Sequence, residues 1–280
     1  MTRIISDSTS DLSQELIEKY DITIVPLRVI LGDDDRRDGV EITPDQIYEW
    51  SDANKSTPKT SATSIDDVEA VYNRFPDDEM VAFSISSEMS MTNAVLKITA
   101  QEMGIGDRVK VIDSRNLSTG IGLLVIEAAI MAQNGKSAQE IADRMEELIP
   151  KVRTSFVVDT LTYLHRGGRC SSVAAVAGSA LKLHPEIAVT DGVMEAGKKF
   201  RGPMKKVLMH YVEEKRDELL QARKDRVSIV HSGCDEETIR NAYEFIKGLD
   251  YFDEILVTRA GGVISSHCGP GTLGIIYIAQ

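Results

Sequence analysis

"SSHCGPGTLGIIYIAQ", Ser265–Gln280, closes the chain, and its Gly269, Gly271 and Gly274 carry the spacing G-x-G-x-x-G. That spacing marks a dinucleotide-binding loop only where a strand precedes it and a helix follows to aim its N-terminus at a pyrophosphate. An acidic residue must then come about 20 positions later. Only Ile275–Gln280 follow, and "IIYIA" is an apolar, β-branched run that reads as a final buried strand. The dinucleotide reading fails. The glycines are read instead as a tight turn ahead of that strand, leaving His267 free to reach another part of the molecule. His267 and Cys268 are read as extended neighbours whose side chains point to opposite faces.

Working outward from this end, strands and helices alternate back to the N-terminus, the pattern of an α/β protein. "RIISDS" reads as a strand and "LSQELIEKY" as an amphipathic helix; Pro26 in "DITIVPLRVIL" argues against a central strand position. Thr43, Pro44 and Gln46 form a helix start, Ser64 caps a helix rich in early acids, and Ser137 with Glu140 forms a capping box. "LSTGIGLLVIEAAIMAQNG" is apolar nearly all round, so it is expected to be buried. Beyond Pro150 come the strand "RTSFVVDTL", the basic turn "HRGGRCSS" and a small-residue helix over "VAAVAGSALKL". Asp191-Gly192 marks a hairpin. A helix over Pro203–Lys224, the strand "VSIVHS", the helix "EETIRNAYEFIKGL", the strand "EILVTRA" and the terminal strand complete the chain. The expected organisation is two α/β domains, residues 1–155 and 156–280.

With 280 residues, 42% hydrophobic and 27% charged, the composition is that of a globular protein. A net charge of −12 opposes non-specific binding to nucleic acid and attraction to an anionic membrane surface. Cys170, Cys234 and Cys268 are odd in number and lack a CxxC, so free thiols in a reducing cytosol are expected, with neither a disulfide framework nor a zinc site. The first twelve residues have no apolar core of signal-peptide length, and no run approaches the ~20 residues of a membrane span. A cytoplasmic protein without membrane anchoring is expected.

No G-x-S-x-G elbow, Walker loop or H-E-x-x-H occurs, and the five histidines never fall at metal-ligand spacing. Cys234 stands before a helix whose N-terminus would lower its pKa, although a semi-buried structural thiol is the simpler reading. Two hydroxyl clusters say more: "KTSATS" (Lys59–Ser64) and "SSEMSMT" (Ser86–Thr92), each directly ahead of a helix. Hydroxyls beside the free N–H groups of a first turn make a small anion site. Plain N-capping accounts for one hydroxyl per helix, and each cluster holds at least three. The basic run "KKFRGPMKK" (Lys198–Lys206) is either a solvated face or a dock for an acidic partner.

These segments, in this order, resemble the DegV family of bacterial fatty-acid-binding proteins. The matching stretches are "DSTSDL" (Asp7–Leu12), "DGVEIT" (Asp38–Thr43), "KTS" (Lys59–Ser61) and "SSEMSMT" (Ser86–Thr92). "VIDS" (Val111–Ser114), "GGR" (Gly167–Arg169), Arg201-Gly202 and "HCGPGTLG" (His267–Gly274) follow, so that they span essentially the whole chain. The resemblance implies two α/β domains with a long-chain fatty acid held between them and within the first. It implies that Thr60, Ser61, Ser90 and Thr92 meet the carboxylate together with His267, that Arg169 orders the site, and that Arg201 docks a partner. In the family that partner is a fatty acid kinase, which converts the bound acid to acyl phosphate; the binding protein is the carrier rather than the catalyst and needs no cofactor. Two departures stand out. Met91 replaces the family's usual glycine, removing freedom at positive φ and adding bulk near the head group. "TSATS" replaces the family's proline-containing "TSQPS". The competing reading is a hydrolase or transferase acting on a small anion through His267 or a free thiol. A purely structural protein would have no use for paired hydroxyl clusters.

Overall fold

The structure, a computed structural model, describes residues 1–169 and 183–280. The chain begins with β1 (Thr2–Asp7), α1 (Gln14–Lys19), β2 (Ile22–Val25), β3 (Arg28–Leu31), β4 (Asp34–Arg37), α2 (Pro44–Asn54) and β5 (Lys59–Ser61). It continues through α3 (Ile65–Tyr72), β6 (Glu79–Ser84), α4 (Thr92–Glu102), β7 (Val109–Asp113), α5 (Thr119–Gln133) and α6 (Ala138–Leu148). Strands β2-β1-β6-β7 form a parallel sheet, and β4-β3-β5 a small antiparallel one. Pro26 stands where the chain leaves edge strand β2 for the small sheet. The local start signals act as read: Thr43 and Gln46 cap α2 reciprocally with Pro44 in the first turn, Ser64 caps α3, and Ser137 with Glu140 caps α6.

The second part runs β8 (Val152–Val157), α7 (Thr162–Gly167), β9 (Leu183–Thr190), β10 (Val193–Arg201), α8 (Met204–Glu214) and α9 (Arg216–Leu219). Then come β11 (Ala222–His231), α10 (Glu236–Lys247), β12 (Glu254–Arg259), α11 (Gly262–Cys268) and β13 (Leu273–Ala279). Its six strands lie in the order β10-β9-β8-β13-β11-β12, and only β11 and β12 are parallel. The fold is therefore mixed α/β, a parallel sheet facing a second, mostly antiparallel one.

Helix α5 is apolar on all sides because it lies between the two sheets, against β1 on one face and β13 on the other. It approaches very closely: a Cβ at Gly122 would sit 2.9 Å from the carbonyl oxygen of Ser10. One large core joins α5 to both sheets, a second lies under α8 and α10, and a third under α3 and α4. Asp191 and Gly192, at φ 48° and 84°, make the expected hairpin turn. Its tip reaches the parallel-sheet side, where Ser86 Oγ donates to the Gly192 carbonyl at 2.7 Å and Arg115 to that of Asp191.

Three expectations are corrected. The helix over Pro203–Lys224 is two pieces that end at Leu219, because Ala222 pairs with Ala279 and opens the ten-residue strand β11. The basic turn is helical over Thr162–Gly167 and closes on Gly168 at φ 68°. The segment carrying His267 is not extended: it is helix α11. The helix expected over "VAAVAGSALKL" and the thiol of Cys170 lie outside the described residues.

Candidate functional site

Four segments distant in sequence converge on one cavity of about 310 Å³. Strand β5 brings Thr60, which pairs with Val29 across the small sheet. The loop before α4 brings Met89, Ser90 and Met91; α11 brings Ile264 and His267; β10 brings Met194. Leu27, Ile85 and Leu117 complete the apolar wall, and Thr60, Ser61, Ser90, Arg169 and His267 supply the polar end. An apolar cleft with a few convergent polar groups is the ordinary form of a small-molecule site.

At the polar end Thr60 Oγ1 meets His267 Nε2 at 2.8 Å, across 207 positions of sequence. The other ring nitrogen, Nδ1, is sealed from solvent and has no hydrogen-bond partner among the described residues. Gly167 packs directly on it: a Cβ there would lie 2.2 Å from Nδ1. Burial, helped by the nearby Arg169 guanidinium, pushes the imidazole pKa down to about 4, so the ring is neutral at pH 7. With its proton on Nε2 the ring donates to Thr60, and the Thr60 hydroxyl hydrogen is left to meet an anion in the cavity.

N-capping uses only part of the hydroxyl clusters. Ser64 caps α3, but α4 has Met91 at its cap position and no side-chain cap bond. Ser90 Oγ lies 2.9 Å from Thr92 Oγ1 and accepts from the Thr92 amide at 3.3 Å. Ser90 thus faces the cavity while Thr92, wholly buried, stands behind it. Ser61 lines the cavity but remains exposed, its hydroxyl turned to the Ala62 carbonyl. Arg169 lines the cavity and donates to the Gly167 carbonyl. Arg201 does not line it; it is exposed at the end of β10. Met91 lies at φ −78°, so this backbone needs none of glycine's freedom, and its side chain is 67% exposed at the cavity's edge.

The two described thiols, Cys234 and Cys268, are poor nucleophiles. Burial, with Asp235 adding to it, pushes Cys234 up to about 12, against the lowering that its place before a helix suggested. Burial raises Cys268 as well. Among the described residues no group of three or more His, Cys, Asp or Glu is placed to hold a metal ion, and no helix is long and apolar enough to cross a membrane.

Sequence reasoning missed the apolar wall residues and three fully buried carboxylates, Asp7, Asp11 and Asp38. It also missed α11, whose N-cap residue Gly261 carries no capping side chain to announce it.

Residues 1–280 match a family described as "Uncharacterised protein, DegV family". A structure described as fatty acid binding of a DegV family protein from Thermus thermophilus superposes with a TM-score of 0.89 at 31% identity, covering 100% of this chain and 99% of that one. A stearic-acid-binding protein from Eubacterium ventriosum superposes with a TM-score of 0.83 at 30% identity, covering 100% and 98%. A protein of Thermotoga maritima named fatty acid-binding protein is 29% identical over 280 residues, 97% of this chain and 96% of its own. With a family match over its whole length and a shared fold throughout, the chain belongs to the DegV family.

Proposed function

We propose that this protein binds a long-chain fatty acid, holds its carboxylate at Thr60, Ser61, Ser90 and His267, and presents it to a partner kinase that forms the acyl phosphate. The observation that carries the reading is the Thr60–His267 contact at the polar end of an otherwise apolar cavity. Hydroxyls satisfy a carboxylate without an ion pair, and the apolar wall suits a hydrocarbon chain. The Thermus and Eubacterium relatives, described as binding a fatty acid and stearic acid, support the same ligand class. In this reading Arg169 orders the polar end, residues 1–155 and 156–280 act as the two domains that enclose the acid, and the protein carries out no chemistry of its own. The raised thiols weigh against the alternative of a thiol hydrolase or transferase.

Titration with saturated acids of increasing length tests the ligand. Burial gains about 0.8 kcal/mol per CH₂, so affinity should climb with length and then level off where the cavity ends. Ser90→Ala and His267→Ala should each weaken binding at least several-fold, since a hydrogen bond to a charged group is worth roughly 1.5–3 kcal/mol. A short-chain acid that binds as tightly as a long one, or wild-type affinity in both variants, would overturn the reading.

A further inference from the structure

Helix α11, which carries His267 in its last turn, has no cap of its own: its N-cap residue is Gly261, without a side chain. Its first amides are buried and would be orphan donors. They are met instead by two carboxylates from the opposite end of the chain. Gly262 N donates to Asp38 Oδ1 at 2.7 Å and Gly261 N to Asp11 Oδ1 at 2.8 Å. Each acid is held in turn, Asp38 Oδ2 by the Ser8 hydroxyl at 2.8 Å and Asp11 Oδ2 by that of Ser118 at 2.5 Å.

The glycines are needed for this approach, since a Cβ at Gly262 would stand 2.6 Å from Asp38 Oδ1. A third acid, Asp7, accepts from Ile85 N at 2.7 Å and so fixes the start of the loop that carries Ser90. Among the described residues none of the three acids forms an ion pair; hydroxyls and backbone amides supply their contacts. Their cost of burial is repaid by what they place: Asp7 the hydroxyl loop, Asp11 and Asp38 the histidine helix.

We propose that Asp38 and Asp11, with Asp7 beside them, are positioning residues for the head-group site, setting where His267 stands relative to Thr60 and Ser90 through the N-terminus of α11. The proposal rests on the fatty-acid reading. From Gly262 to His267 the helix rises only about 7.5 Å, so a shift at its first amide passes to the ring nearly undiminished.

The test is a double-mutant cycle read by oleate titration. Asp38→Ala is expected to weaken oleate binding about tenfold in the wild-type background and less than twofold in His267→Ala, because without the ring there is nothing left to position. Asp38→Asn, which keeps an acceptor for Gly262 N, should recover most of the loss. An equal loss from Asp38→Ala in both backgrounds would reduce the acid to a stability role and overturn the proposal. If Asp38→Ala fails to fold, Gly262→Ala serves, as its Cβ pushes the helix off the carboxylate. It should lose oleate affinity to a similar degree and move the His267 ring resonances in ligand-free protein; unchanged resonances would overturn the proposal. Those resonances are read without ligand. A wild-type protein that binds no oleate therefore sinks the functional reading alone, and the resonances still decide the positioning.

Discussion

Gly167 has to be a glycine for His267 to stand where it does. Its Cα packs against Nδ1, and a Cβ would lie 2.2 Å from that atom. Gly167→Ala must therefore displace the ring, at an overpacking cost of about 1–3 kcal/mol. The expected outcome in urea unfolding is a loss of that size, together with weaker fatty-acid binding. In His267→Ala the obstacle is gone, and the same substitution should then cost less than about 0.5 kcal/mol. An undiminished cost in that background would mean that the strain lies elsewhere than at the ring. Met91 shows the opposite case. The family's glycine at this place suggests a special backbone, yet φ is −78° and any residue can adopt it.

At the scale of an element, α11 joins two groups that titrate in opposite directions. Burial raises Asp7 to about 6 and Asp11 to about 8, and raises Asp38 too; the charge of Asp38 adds to the rise of both others and that of Asp7 to the rise of Asp11, and Cys268 lies near enough to feel Asp11. An unfolded aspartate titrates near 3.9. Between roughly pH 4 and 8 the native state therefore binds more protons than the unfolded chain, and stability falls as pH rises through that window. His267, lowered to about 4, binds fewer protons when folded, so its contribution is lost as pH falls from roughly 6.5 to 4. Above pH 6.5 the histidine is neutral in both states, and the raised acids, Asp11 among them, set the slope. The melting temperature should decline from pH 6.5 to 8, and Asp11→Asn should flatten that decline; asparagine also tolerates the φ of 52° at this position. A variant whose melting curve follows the wild type over this range would show that Asp11 is ionised throughout.

At the scale of the whole molecule, the basic run on β10 and α8 is not uniformly available. Lys198 pairs with Glu214, and Lys205 with Asp235 and Glu237. Among the described residues no acid pairs with Lys199, Arg201 or Lys206, which stand as unpaired positive charges on a protein of net charge −12. Arg201→Ala should change stability by no more than about 0.5 kcal/mol and leave fatty-acid affinity intact. If Arg201 docks a kinase, acyl phosphate formation should slow, most of all at low ionic strength where charge steering is strongest. Wild-type rates across ionic strengths would return Arg201 to a solvated face.

The sequence alone carried whatever depends on neighbours along the chain. Strand and helix periodicities gave the α/β class, the hydroxyls of Thr43, Ser64 and Ser137 marked helix starts at their own N-termini, and Asp191-Gly192 gave the hairpin. The hydroxyls that line the cavity were legible for the same reason, since they cluster locally ahead of helices. The tertiary structure alone decided how those hydroxyls are used and what faces them. Thr60 meets His267 across 207 positions, and Gly262 meets Asp38 across 224. Helix α11 shows why such features are invisible in one dimension. Its residues are small and almost all buried, so no amphipathic stripe announces it, and its capping groups belong to the first turns of the chain. A helix start written in its own sequence can be read there; one supplied by acids more than 220 residues away exists only once the sheets have packed on α5 and brought those acids to it.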